Sequence, residues 1–161
     1  MRIRPATADD VSLIHHFIRE LARYEKLEHE VQTTDEFLRE TLFGEKRYAE
    51  VIFAEEDGRP VGFALFFHNY STFLAQPGIY LEDLFVIPEA RGKGYGKMLL
   101  AELARIAVER KCGRIDWAVL NWNQPAIDFY ASIGAVPMTE WHVRRLMGDA
   151  LHKLAATAPA P

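Results

Sequence analysis

Apolar residues recur along this chain with two different periods, and the change of period marks its elements. Ile14, Phe17, Ile18 and Leu21 fall at helical spacing, which predicts an amphipathic helix over residues 8–24. Thr7 and Asp10 form a capping box at its start, the carboxylate three residues after the hydroxyl. The segment 33–44 repeats that grammar, with Thr33 as cap, Glu36 at the third position, a stripe of Phe37, Leu38 and Leu42, and Gly44 as the stop. Between the two helices "YEKLEHEVQ" is acidic and polar, a solvated loop.

Strand patterns sit on either side of these helices. "RIRPAT" reads as a short first strand, and "AEVIFAEE" and "RPVGFALFFHNY" as two more. They flank "EDGR", where Asp57-Gly58 is a hairpin signal. "STFLAQPG" is a loop, and "IYLEDLFVI" a further strand ended by Pro88. Helical spacing returns over 94–110 through Leu99, Leu100, Leu103, Ile106 and Ala107. "RIDWAVL" follows as a strand, then "QPAIDFYASIG" as a helix with Pro125 near its first turn and Gly134 at its end. "PMTEWHVRRLM" predicts a final strand. The order βααβββαβαβ implies a mixed α/β (α+β) sheet covered by helices.

Composition narrows the class. A chain of 161 residues suits one domain, over 1–155, with the low-complexity end at 156–161 frayed. Apolar residues make up 49% and charged ones 26%, as in soluble globular proteins, and a net charge of −4 argues against nucleic acid or an anionic membrane as partner. One cysteine, Cys112, excludes an internal disulfide and fits a reducing compartment. With no apolar leader pattern in "MRIRPATADD", the expectation is a soluble, cytoplasmic protein. No metal site is expected: the adjacent His15 and His16 point about 100° apart on a helix, unlike an i, i+4 ligand pair.

Candidate chemistry begins at "ARGKGYGKMLL". A P-loop would need glycine where Arg91 stands and a hydroxyl residue in place of Met98. The dinucleotide fingerprint would need a further glycine at Lys97 or Leu99. What remains is R-x-x-G-x-G between a strand and a helix N-terminus. Helix-start amides, the positive dipole end and Arg91, Lys93 and Lys97 make an anion site there, and the missing side chains at Gly92, Gly94 and Gly96 let a pyrophosphate approach the backbone. A tight turn with no ligand is the alternative. Just upstream, Glu82 and Asp83 interrupt an apolar strand, an uncommon place for carboxylates, and regular alternation would face them to opposite sides.

"LEDLFVIPEARGKGYGKMLL" resembles the central motif of the GNAT superfamily of N-acetyltransferases, which bind acetyl-coenzyme A through R-x-x-G-x-G. "IRPATADD", "ELARYEKLE", "YLEDLFV" and "AVLNWNQPAIDFYASIGA" are similar to its diamine and thialysine acetyltransferase branch, over roughly residues 2 to 147. The resemblance implies a mostly antiparallel sheet of six to seven strands, about four flanking helices, and a bulged strand that splays from its neighbour before the glycine loop. It implies acetyl-coenzyme A as co-substrate, no metal, a small-molecule primary amine as acceptor and a homodimer paired through C-terminal strands. The backbone of Leu84, Phe85 and Val86 would hold the pantetheine arm and thioester carbonyl. The amides of Gly92, Lys93, Gly94, Tyr95, Gly96 and Lys97, with Arg91, would hold the pyrophosphate, and Asn123, Gln124, Pro125 and Ala126 would border the cofactor.

By the same resemblance Tyr130 is the general acid for the departing thiolate, and Glu82 faces the amine and helps to deprotonate it. Tyr24, Glu25, Asp116, Trp117 and Ala118 would border the acceptor, with Glu28 and Glu140 as further candidates. Polyamine-acetylating members carry an acidic residue and a tryptophan where this chain has Ser71 and Phe73, so a smaller amine is favoured. Acetylation of a peptide, or non-catalytic sensing of acyl-coenzyme A, are the competing readings.

Overall fold

The computed structural model describes residues 1–159, which form two compact units, one over Met1–Ala118 and one from Val119 onward. The first holds a five-stranded sheet in the order β1 (Arg2–Pro5), β2 (Glu50–Glu56), β3 (Arg59–Ser71), β4 (Gln76–Val86) and β5 (Ile115–Trp117). Its helices are α1 (Val11–Tyr24), α2 (Asp35–Phe43) and α3 (Tyr95–Glu109). The second unit holds α4 (Gln124–Ser132) and α5 (Gly148–Ala155).

Local signals placed most of these elements. Thr7 N–H donates to Asp10 Oδ2 at 2.7 Å, closing the capping box ahead of α1. The cap of α2 is Thr34 rather than Thr33, its Oγ1 accepting from Phe37 N–H at 3.2 Å. Asp57 and Gly58 have φ of 50° and 78°, the paired positive values of a tight hairpin turn.

Two packed faces follow from the sheet register. Val51, Phe53, Phe63 and Phe85 face α1 and α2 and pack with Val11, Ile14, Phe17, Leu21, Leu38 and Leu42. The other face is covered by α3 through Leu99, Leu100, Leu103 and Ile106. Antiparallel pairs run from Gly62↔Val86 to Leu65↔Asp83, then resume at Phe66↔Leu81. Glu82 is therefore the extra residue of a β-bulge, and it and Asp83 together oppose Leu65. Phe66 and Leu81 share the α3 face, whereas Leu65, Asp83 and Phe85 share the α1 face.

Parallel pairing of β4 with β5 covers only Ile79, Tyr80 and Leu81. Beyond the bulge that edge of β4 has no strand partner among the described residues, which is the expected splay. Ile87 N–H donates to Val61 O at 2.9 Å, making Gly62–Val86 a non-hydrogen-bonded pair. The N–H and C=O of Val86 and Leu84 consequently point to the open edge, while those of Phe85 point to β3.

The sheet falls short of the expected six to seven strands. "PMTEWHVRRLM" forms no strand among the described residues, and its Met138, Trp141, Val143 and Met147 are exposed. A β pattern needs a partner to become a strand, and this segment pairs with no other among the described residues. Residues 148–155, not anticipated as regular structure, form α5, the fifth α-helix among the described residues. Of the expected frayed end, residues 156–158 form turns, and 160–161 lie outside the described residues.

Candidate active site

The glycine loop has the geometry its sequence anticipates. Gly92 and Gly94 have φ of 75° and 91°, where L side chains are strained, and Gly94 is the residue from which α3 starts. A Cβ added at 92, 94 or 96 would meet nothing within 4 Å, so the loop surface is open. Arg91 N–H donates to Pro88 O and Met98 N–H to Gly94 O; between them the amides of Gly92 through Lys97 make no backbone hydrogen bond among the described residues. A row of unfilled donors at a helix N-terminus is a cradle for a phosphate-bearing ligand.

The loop's side chains divide differently from the expectation. Arg91 turns back from the loop: its Nε donates to Val86 O at 2.9 Å, and its guanidinium lies 4.6 Å from the Tyr24 ring centre and 5.4 Å from that of Phe85. It joins the end of α1 to the open edge of β4 by cation–π stacking. Lys93 Nζ lies 3.1 and 3.2 Å from the Glu56 carboxylate oxygens. Tyr95 is buried in the core, leaving its amide to serve the loop, and Lys97 is exposed.

The carboxylates separate by environment. Glu82 is exposed on the bulge, whereas Asp83 is half-buried on the α1 face. Burial first, then the charges of Glu82 and Glu25, raise the Asp83 carboxyl from 3.8 to about 7. Burial likewise raises Glu25, at the C-terminal end of α1. The structure thus brings Glu25, Glu82 and Asp83 together, with Asp83 poised to exchange a proton near neutrality. The sequence by itself points to Glu82. Adjacent carboxylates in a strand could not be ranked without the bulge and the cover of α1.

On β5, Asp116 pairs with Tyr80, which pairs in turn with Phe67 on the α1 face. Trp117 pairs with Leu81 of the α3 face, so the two neighbours look to opposite sides, and Ala118 is exposed beyond the strand. Glu28 is tied to Arg23 at 2.9 Å.

Within the second unit, Asn123 stands before α4 and its carbonyl accepts from Ala126 N–H at 3.1 Å. Pro125 occupies the first turn, and Gln124 Nε2 donates to Asp128 Oδ1 at 2.6 Å. Tyr130 is half-buried on α4, its ring centre 5.5 Å from that of Phe129. Glu140 is exposed. Among the described residues there is no group of three or more His, Cys, Asp or Glu side chains arranged to hold a metal ion, and no helix is long and apolar enough to cross a membrane.

Residues 14–135, spanning parts of both units, match the acetyltransferase (GNAT) family. The chain is 40% identical to the thialysine N-epsilon-acetyltransferase of Bos taurus, covering 95% of this chain and 96% of that one. It is 35% identical to an L-ornithine N5-acetyltransferase of Arabidopsis thaliana, covering 95% and 87%. Among solved structures, an integron cassette protein of the V. cholerae mobile metagenome superposes with a TM-score of 0.80 at 33% identity, covering 97% of this chain and 98% of its own. The chain belongs to the acetyltransferase (GNAT) family, on the thialysine and diamine side of it, and is an N-acetyltransferase.

Proposed function

We propose that this enzyme transfers the acetyl group of acetyl-coenzyme A to a primary amine of a small diamine, polyamine or lysine analogue, by direct attack in a ternary complex. The observation that carries the reading is Asp83, a carboxyl raised to about 7 beside two further acids on a strand whose edge is open. An ammonium group must lose a proton before it can attack, and three carboxylates both attract it and supply the acceptor. Asp83 takes the proton, and Glu82 and Glu25 hold the cation.

The loop fits the co-substrate. Amides of Gly92 through Lys97 face open space at a helix start, which suits a pyrophosphate. Edge groups of Leu84 and Val86 suit a pantetheine arm, and a backbone N–H there would stabilise the developing oxyanion without reorganising. Asn123 to Ala126 border the cofactor in this reading. Nitrogen–carbon bond formation then expels the thiolate, which takes its proton from the Tyr130 hydroxyl. One catalytic domain over 1–155 contains both units, a reading supported by the family match that crosses them. A reducing, cytoplasmic setting suits the single cysteine.

Gly94→Val tests the cradle. It would put a branched side chain into open loop surface at φ 91°, and acetyl-coenzyme A affinity by calorimetry is expected to fall at least about tenfold, near 1.4 kcal/mol. Unaltered affinity would remove the loop from cofactor binding. The enzyme reading itself is tested by free thiol released from acetyl-coenzyme A with a panel of small amines.

A homodimer completes the proposal, with 137–147 pairing between copies. Exposure of Trp141 at 74% and Val143 at 79% supports an interface for an apolar segment. Sedimentation is expected to show a dimer at micromolar concentration and a monomer for Trp141→Asp; a wild-type monomer would exclude it.

A further inference from the structure

Three cations stand in or beside the glycine loop, and one of them is engaged elsewhere. Arg91 closes the turn of residues 88–90 in extended backbone, φ −66° and ψ 157°, and Gly92, at φ 75°, carries the main chain on into the loop. The Arg91 side chain runs back to β4, where its Nε donates to Val86 O at 2.9 Å. Its guanidinium lies over two rings, 4.6 Å from the centre of Tyr24 and 5.4 Å from that of Phe85. One polar bond and two ring contacts hold a flat cation there; a lysine ammonium would keep only the charge.

Each of those rings adjoins an acid of the proposed acceptor site. Tyr24 is the last residue of α1, and Glu25 follows it as the C-cap. Lys26, at φ 63°, donates its N–H to Arg23 O at 3.2 Å, and Leu27 N–H returns to Ala22 O at 2.8 Å. That is a Schellman ending, which makes Glu25 part of the rigid end of the helix. Phe85 is two residues from Asp83 on the same face of β4. Glu25 and Asp83 repel, the charge of Glu25 being one cause of the raised Asp83 carboxyl. A cation stacked across both segments holds the end of α1 down on β4 against that repulsion, and it meets the negative end of the helix dipole.

The phosphate cradle has its donors without Arg91. Amides of Gly92 through Lys97 are open at the start of α3, and Lys97 is exposed beside them. Turning Arg91 toward a phosphate would give up the bond to Val86 and both ring contacts.

We propose that Arg91 is a positioning residue of the acceptor site: it braces the C-terminal end of α1 against β4 and so sets the separation of Glu25 from Asp83, while loop amides and Lys97 hold the pyrophosphate without it. The inference rests on the acceptor site proposed above, and Arg91 touches neither the amine nor the thioester. By holding the Val86 carbonyl it leaves the Val86 N–H and the edge groups of Leu84 to the pantetheine arm.

Two measurements on the purified protein separate a brace from a phosphate ligand. One is acetyl-coenzyme A affinity by calorimetry. The other is the KM, read as thiol release, for the fastest amine among putrescine, cadaverine, spermidine, ornithine and lysine. Arg91→Ala is expected to raise that KM about five- to tenfold, the worth of a partly desolvated cation–π contact, and to leave cofactor affinity within about twofold. General destabilisation would not divide the two substrates in this way. Arg91→Lys keeps the charge without the flat face or the Nε, and is expected to raise the KM as alanine does. Tyr24→Leu removes the ring, so adding Arg91→Ala to it should raise the KM no further, the two changes breaking one contact. A tenfold loss of cofactor affinity in Arg91→Ala, a normal amine KM in Arg91→Ala or Arg91→Lys, or additive effects of the two substitutions overturns this inference alone. No thiol release with any of the five amines overturns the proposed acetyl transfer to small amines and this inference together.

Discussion

Replacing Asp83 with asparagine is expected to lower turnover by roughly 10²- to 10⁴-fold, the usual worth of a positioned proton acceptor, while making the fold more stable at alkaline pH. The two effects share one cause. Burial and the neighbouring charges of Glu82 and Glu25 hold the carboxyl near 7, against 3.8 for an unperturbed aspartate. Below pH 4 the group is protonated whether the chain is folded or not, and no pH-dependent cost arises. Between pH 4 and 7 the folded chain retains a proton that the unfolded chain has lost, so stability falls by about 1.4 kcal/mol per pH unit. Above pH 7 the full penalty, on the order of 4 kcal/mol, is in force. Asparagine carries no such charge. Urea titrations at pH 4 and pH 8 should therefore show a gain for Asp83→Asn only at the higher pH. In the wild type kcat/KM should rise with pH through about 7, and that limb should vanish in the variant. A variant with normal turnover would take Asp83 out of the reaction.

Tyr130→Phe is expected to cost ten- to thousand-fold in turnover, in or near the range for a lost proton donor, with acetyl-coenzyme A affinity nearly intact. Phenylalanine keeps the ring that packs 5.5 Å from Phe129, so α4 should fold as before. What disappears is the proton for the leaving sulfur. A thioester with a more acidic thiol needs that proton less, so the penalty should shrink with such a donor substrate. Unchanged turnover, or a penalty indifferent to the leaving group, would deny the phenol its role.

Local grammar carried much of this structure. Capping at Thr7, the stripe of Ile14, Phe17 and Leu21, and the glycines before α3 act within a few residues of themselves, and each was legible in the sequence. The turn at Asp57-Gly58 was legible for the same reason. What escaped depends on partners distant in the chain. Nothing in "YLEDLFV" reveals that Glu82 is the supernumerary residue; that is decided by the register with β3. Asp83 titrates near neutrality because α1 lies over its face of the sheet, and Arg91 leaves the loop because Tyr24 offers it a ring. The bond from Asn69 to Asp116 joins positions 47 residues apart, beyond any periodicity. The strand expected from "PMTEWHVRRLM" failed for the same reason. Its pattern is adequate, but pairing with a distant strand, which the segment does not make among the described residues, is not written in it.

Glu82 also bears on any attempt to harden this protein. Removing that single residue would zip β3 and β4 into an uninterrupted ladder, which a designer seeking thermal robustness would welcome. Asp83 would lose the like-charged neighbour that crowds it, the second cause of its raised carboxyl, while burial, the larger one, remained. At this point regularity and reactivity are rivals, because idealising the strand would remove one of the two acids proposed to hold the cation.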